Sequence, residues 1–241
     1  MPKTYDAPND WGEDPLSGFI EQAWRNSIAS FANHRKEYER LRDIHILYTD
    51  LIRNLNNSPD WFVGFFLMRA HSAYLAAVRL VLSTQVADVY IVLRGCLESS
   101  LYGLYLSGHP KSAETWIRRG ENEASKRLVK NEFTIKNVLG NLETVDPAEA
   151  SVASVLYERT IDYGGHPNAN GILTLLQQTE GQDSTLFEFQ YLSGNSSRLN
   201  FAWKSTAQVG VCSLRIFQNV FRHRFDILQL GDRLDVLARG L

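Results

Sequence analysis

The sequence predicts an all-α fold: a helical bundle of about seven to nine helices behind a polar N-terminal arm. Three observations predict it. Apolar residues recur at three-and-four spacing along much of the chain, which lines one face of a helix. Helix starts and stops punctuate that pattern. Strand signals are weak, with no alternating runs bounded by hairpin turns.

Residues 1–15 are polar and carry Pro2, Pro8 and Pro15, so they read as a loose arm, and residues 16–241 read as one domain. The first clear helix carries Leu41, Ile44, Tyr48, Leu51 and Leu55 on one face and stops at Asn56-Asn57. Ser58-Pro59 then supplies a cap and a proline at the first helical position. The helix that follows, to about Leu82, is apolar nearly all round, with Arg69, Ser72, Arg79 and Ser83 on a narrow stripe. Its uncharged runs fall short of the roughly 20 residues a membrane span needs, so it reads as a core helix, with no membrane role expected.

The next helix covers about Gln85 to Leu106, with Val86, Val89, Leu93, Leu97 and Leu104 on its apolar face. His109-Pro110 ends it, because the residue before proline disfavours helical geometry. Ser112 to Asn141 is a more polar helical stretch in which Arg119, Glu123 and Arg127 are spaced for i,i+4 pairing. Asp146-Pro147-Ala148-Glu149 is a strong helix start; that helix runs to Tyr163, with Gly164 as the residue past its end. A shorter helix is expected from about Asn170 to Glu180, a long one from Asn200 to Arg224, and an amphipathic piece from Asp226 to Arg239.

Composition excludes several functions. Formal net charge is −2, whereas a general nucleic-acid coating protein carries a basic excess, so any such contact is local. Cys96 and Cys212 sit apart in apolar helices and read as reduced buried thiols of a cytoplasmic protein. His34, His45, His71, His109, His166 and His223 are scattered, and Glu-x-x-His pairs are missing, so no metal is expected. Phosphate-binding glycine loops and a Gly-x-Ser-x-Gly elbow are also missing, and no cofactor is expected.

Four places can carry chemistry. On the helix that starts at Asp146, Arg159 falls among Ala148, Val152, Val155, Leu156 and Tyr163. It is either half of a structural ion pair or a cation at the bottom of a pocket, held ready for an anion. His166 follows in Tyr163-Gly164-Gly165-His166-Pro167-Asn168, either capping helix carbonyls or poised for acid–base work. Arg94 and Glu98, one turn apart, form either an intrahelical ion pair or, through Glu98, the partner that Arg159 requires. Tyr102 and Tyr105 lie further along that edge.

The segment Arg159-Thr160-Ile161-Asp162-Tyr163-Gly164-Gly165-His166 resembles the Arg-then-His motif of the HEPN superfamily, small α-helical proteins that include prokaryotic toxins and defence ribonucleases. The Leu93–Glu98 stretch and the later Tyr157-to-His166 segment resemble bacterial HEPN-like families with an Arg-x-x-x-Glu helix. The resemblance implies a metal-independent endoribonuclease. In it His166 and Arg159 are catalytic, and Arg94, Glu98, Tyr157, Asp162 and Asn168 support them. It implies a homodimer acting on RNA. The alternative is a non-catalytic binding or regulatory bundle, in which Arg159, Glu98 and His166 form a structural cluster or meet a partner protein.

Overall fold

The computed structural model describes residues 7–56, 61–165, 169–173, 175–180, 185–194 and 196–241. Its helices are α1 (Pro15–Asn33), α2 (Arg35–Arg53), α3 (Trp61–Leu82), α4 (Val86–Gly108), α5 (Pro110–Ile117), α6 (Glu123–Glu132), α7 (Ile135–Val145), α8 (Pro147–Thr160), α9 (Ala169–Leu173), α10 (Ser197–Val220), α11 (Arg222–Ile227) and α12 (Leu230–Ala238). A hairpin of β1 (Leu176–Glu180) and β2 (Thr185–Phe189) separates α9 from α10. A 3₁₀ turn, Arg118–Gly120, joins α5 to α6, and a π-helical turn, Ile161–Gly165, extends α8.

The chain is mainly helical, as its periodicity predicts. The core lies among α2, α3, α4 and α10, where Ile44, Leu51, Leu67, Tyr74, Leu93, Leu97, Leu214 and Phe217 are sealed from solvent. Gly103 lets α4 approach its neighbours: a Cβ there would meet Phe217 of α10 at 2.9 Å and Phe66 of α3 at 3.2 Å. Buried hydroxyls are paired: Ser100 and Ser213 lie 2.6 Å apart, and Tyr74 donates to the Leu41 carbonyl at 2.9 Å. Cys96 and Cys212 are free and buried. α3 is long and apolar enough to cross a membrane by length and composition; one face is buried in the core, while Trp61, Phe65, Met68 and Leu75 are exposed.

Several expectations are corrected. The polar stretch 112–141 divides into separate helices, because Asn122 caps Ser125 N at 2.9 Å and Thr134 caps Asn137 N at 3.2 Å, starting α6 and α7 separately. Glu123 consequently pairs with Lys126 rather than within an Arg119–Glu123–Arg127 chain. The helix expected over 170–180 is only α9; β1 and β2 follow, antiparallel, with Leu176 opposite Phe189 and Gln178 opposite Phe187. The piece from Asp226 to Arg239 breaks at Gln229, whose φ of 52° no helix continues through. Ahead of the bundle, Trp11 donates to Glu21 at 3.0 Å, and Asp14 caps α1, an added helix. That addition and the splitting carry the total to twelve helices among the described residues, above the expected seven to nine. The Ser58-Pro59 helix start lies outside the described residues.

α1 turns its small residues inward, Ser17 and Ser30 being buried, and leaves Leu16, Ile20, Trp24, Ile28 and Phe31 exposed along one side. The hairpin is exposed too, with Leu186, Phe187 and Phe189 open to solvent.

Between α2 and α3, His45 Nδ1 lies 2.8 Å from His71 Nε2, and His71 stacks on Tyr48. Burial, and then the neighbouring His45, lower the His71 pKa to about 4. The unfolded chain therefore binds more protons than the native one between about pH 6.5 and pH 4, so stability falls as pH drops through that window. Allowing for solvent screening of a half-buried ring, the loss is about 2 kcal/mol. Denaturant unfolding at pH 7 and pH 4 should show this loss in the wild type and a shallower dependence in His71→Gln. Equal slopes in the two proteins would contradict it.

Candidate functional site

The start of α8 is set by local sequence signals. Asp146 accepts from Glu149 N at 3.1 Å, and Pro147 occupies the first turn. Its buried face differs from the one expected. Val152 and Val155 are 46% and 60% exposed, while Ala150, Ala153, Leu156, Tyr157 and Thr160 turn inward. Small residues allow close packing there, and the buried hydroxyl of Thr160 donates to the Tyr157 carbonyl at 2.7 Å.

The expected site residues separate into two groups. On one side of α8, Arg94 donates to Glu98 at 2.8 Å, and the Tyr157 hydroxyl donates to the same carboxylate oxygen at 3.2 Å. The Arg94 guanidinium also lies 5.3 Å from the Tyr157 ring centre. Burial first, then the Glu98 carboxylate, raises the Tyr157 pKa, which keeps the hydroxyl protonated and donating. This cluster ties α8 to α4. Glu98 is thus occupied by the intrahelical pair.

Arg159 instead reaches α10. It donates to Ser205 Oγ at 3.2 Å and Gln208 Oε1 at 2.5 Å, and its guanidinium sits 4.8 Å from the Phe201 ring centre. These partners are neutral. Among the described residues no carboxylate forms an ion pair with Arg159. The side chain is half-buried, so its positive charge is held in place but not cancelled.

Beside it, Tyr90, Tyr163 and Phe201 form an aromatic cluster. Ring centres are 5.3 Å apart for Tyr90–Tyr163, 5.4 Å for Tyr163–Phe201 and 6.5 Å for Tyr90–Phe201. With Val86, Ser197 and Arg198 they line a cavity of about 340 Å³. Burial pushes the Tyr90 hydroxyl up to about 12, against the lowering influence of Ser205 and Arg159. Ser197 and Arg198 begin α10, so the positive end of that helix adjoins the cavity.

The π-helical turn places Tyr163 against Tyr90. Gly164 makes this possible by close approach: a Cβ there would lie 2.5 Å from the Ala87 carbonyl oxygen. That requirement replaces the expected role as a terminal helix glycine. Asp162 is exposed on the turn. His166 and Asn168 lie outside the described residues. Among the described residues, no three His, Cys, Asp or Glu side chains gather as a metal site would require.

Tyr90, Phe201, Ser205 and Gln208 were not singled out in the sequence. One signal exists: Phe201, Ser205 and Gln208 recur at i, i+4 and i+7, which sets two polar groups in line with an aromatic on a largely apolar helix. Set against known protein families, curated proteins and solved structures, the chain matches none.

Proposed function

We propose that this chain is a HEPN-like, metal-independent endoribonuclease of toxin or defence type, acting through Arg159 and His166. The observation that carries the reading is Arg159: an arginine fixed by neutral groups against Phe201, whose ring lines the aromatic cavity, with no carboxylate paired to it among the described residues. Aromatic rings beside a cation suit a flipped-out base and its phosphate, the features by which single-stranded RNA is bound. The formal net charge of −2 weighs against RNA as substrate and restricts any contact to one such place.

In this reading His166 accepts the proton of a ribose 2′-hydroxyl, and the 2′-oxygen attacks the adjacent phosphorus. The 5′-oxygen leaves and takes up a proton, giving a 2′,3′-cyclic phosphate and a 5′-hydroxyl end. Arg159 stabilises the extra negative charge on the phosphorane. Arg94, Glu98 and Tyr157 are positioning residues, because they fix α8 rather than face the cavity. A homodimer and a cytoplasmic setting belong to the same reading, and the exposed apolar row on α1 offers such a dimer a surface.

The second reading, a non-catalytic binding bundle, is favoured by the same hydrogen bonds, since Ser205 and Gln208 already occupy part of the guanidinium. Incubation with a mixed RNA pool in EDTA separates the two. The nuclease reading expects cleavage by the wild type and a loss of roughly a hundredfold or more in His166→Ala and Arg159→Ala, both still folded. No cleavage by the wild type, with Arg159→Ala unfolding and His166→Ala unchanged in stability, would overturn it.

A further inference from the structure

The aromatic cavity has a guanidinium of its own, Arg198, separate from Arg159. Both belong to one face of α10. Arg198, Phe201, Ser205 and Gln208 follow one another at three, four and three residues, which sets them in a single stripe along the helix. Arg198 lines the cavity at one end of the stripe. Phe201 comes next, and beyond it Ser205 and Gln208 hold the Arg159 guanidinium, 4.8 Å from the Phe201 ring centre. From Arg198 to Ser205 is about 10 Å along the helix. An aromatic ring therefore stands between two guanidinium groups, at a separation that one nucleotide spans from base edge to phosphate.

The rings set how a base is held. Tyr90, Tyr163 and Phe201 pack on one another, with centres 5.3 to 6.5 Å apart, so a base stacks on the outside of the cluster rather than between its rings. Stacking accepts every base, because each has a π face. Discrimination falls to the polar side chains of the lining.

Those side chains are of a restricted kind. They are the hydroxyls of Tyr90, Tyr163 and Ser197 and the guanidinium of Arg198; among the described residues no carboxylate and no side-chain amide lines the cavity. The amino group of cytosine calls for a carboxylate acceptor, and the N6–N7 edge of adenine for the paired donor and acceptor of an amide. Uracil offers a single acceptor, O4, on the corresponding edge. Guanine places two acceptors, O6 and N7, side by side, and the parallel N–H groups of one guanidinium meet both. In unpaired RNA this edge is open to a side chain. Such a contact takes two of the five N–H groups of Arg198 and leaves three for its interaction within the chain.

We infer, on the nuclease reading above, that Arg198 reads guanine and that the nucleotide bound is the one whose 3′-phosphate lies against Arg159. Arg198 is then the specificity-determining residue, Phe201 and Tyr163 supply stacking common to all bases, and cleavage falls after guanosine.

Calorimetric titration of the wild type with the 3′-monophosphates of guanosine, adenosine, cytidine and uridine, one at a time, tests the inference without any cleavage. The guanine nucleotide is expected to bind about tenfold tighter than the others, or more, which is the discrimination one bidentate contact provides. Arg198 is exposed, so Arg198→Ala leaves the core intact. This variant should bring the guanine nucleotide down to the affinity of the other three. Arg159→Ala should weaken all four by a similar factor, about tenfold, and keep their order. Equal affinity for the four, preference for another base, a guanine preference that survives Arg198→Ala, or no heat with any of them up to about 10 mM would overturn the inference. Guanine-selective binding by a wild type that cleaves no RNA would uphold Arg198 as the reader and overturn the nuclease. Cleavage with equal frequency after all four bases would do the reverse.

Discussion

Gly164→Ala is expected to lower stability by about 1–3 kcal/mol and to cut RNA cleavage about a hundredfold. The added Cβ would meet the Ala87 carbonyl oxygen at 2.5 Å, Tyr90 Cβ at 3.2 Å and Ile91 Cγ1 at 3.4 Å. The nearest of these is backbone of α4, so no rotamer change relieves the clash. The π-helical turn has to back away, taking Tyr163 off Tyr90 and displacing the chain that leads to His166. A misplacement of about 1 Å is enough for a hundredfold loss in a positioned reaction. Thermal unfolding reads the first effect, since each kcal/mol moves Tm by roughly 2–4 °C in a chain of this size. The EDTA cleavage assay reads the second. Unchanged Tm together with full activity would show that the turn does not depend on close contact with α4.

The largest loss of stability is expected from Gly210→Val, at about 3 kcal/mol or more. Gly210 lies where α10 crosses α2 and α3. Its Cβ would stand 2.6 Å from Tyr74 Cε2 and 2.9 Å from Ile44 Cγ2, both in fully buried side chains. Moving the Tyr74 ring breaks its hydrogen bond to the Leu41 carbonyl, so the clash also removes a tie between α3 and α2. Tm should fall by roughly 6–12 °C. Gly95→Ala is the control: its Cβ meets nothing within 4 Å, and alanine there should be neutral or raise stability by about 0.5–1 kcal/mol. Equal melting of the two variants would contradict the packing described for α10.

Most of the helical order was legible because it rests on local chemistry. Asp146-Pro147 starts α8, His109-Pro110 separates α4 from α5, and the period of α2 is plain at Leu41, Ile44, Tyr48 and Leu51. The hairpin was missed although Phe187, Phe189 and Tyr191 alternate with Glu188 and Gln190. β2 is exposed along its whole length, so its pattern marks no buried face, and the run is short. α1 was not assigned, although Leu16, Ile20, Trp24 and Ile28 are spaced as helix, and the row they form faces solvent rather than core.

The site was half legible. Arg159 stood out as a charge among apolar neighbours. Its partners did not, because Ser205 and Gln208 lie some 46 and 49 residues away and only the packing of α8 against α10 brings them close. By charge alone, Glu98 suits Arg159 as a partner. The i,i+4 geometry that holds it to Arg94 proved the stronger local constraint.

RNA is expected to sit in the cavity beside Arg159. Photo-crosslinking of a 4-thiouridine-labelled single-stranded RNA to the His166→Ala variant, with adducts mapped by mass spectrometry, tests it without relying on turnover. Adducts are expected on Tyr163 or Phe201 and should disappear when Arg159 is replaced by alanine. Adducts confined to other surfaces, such as the basic face of α6, or unaffected by loss of Arg159, would contradict it.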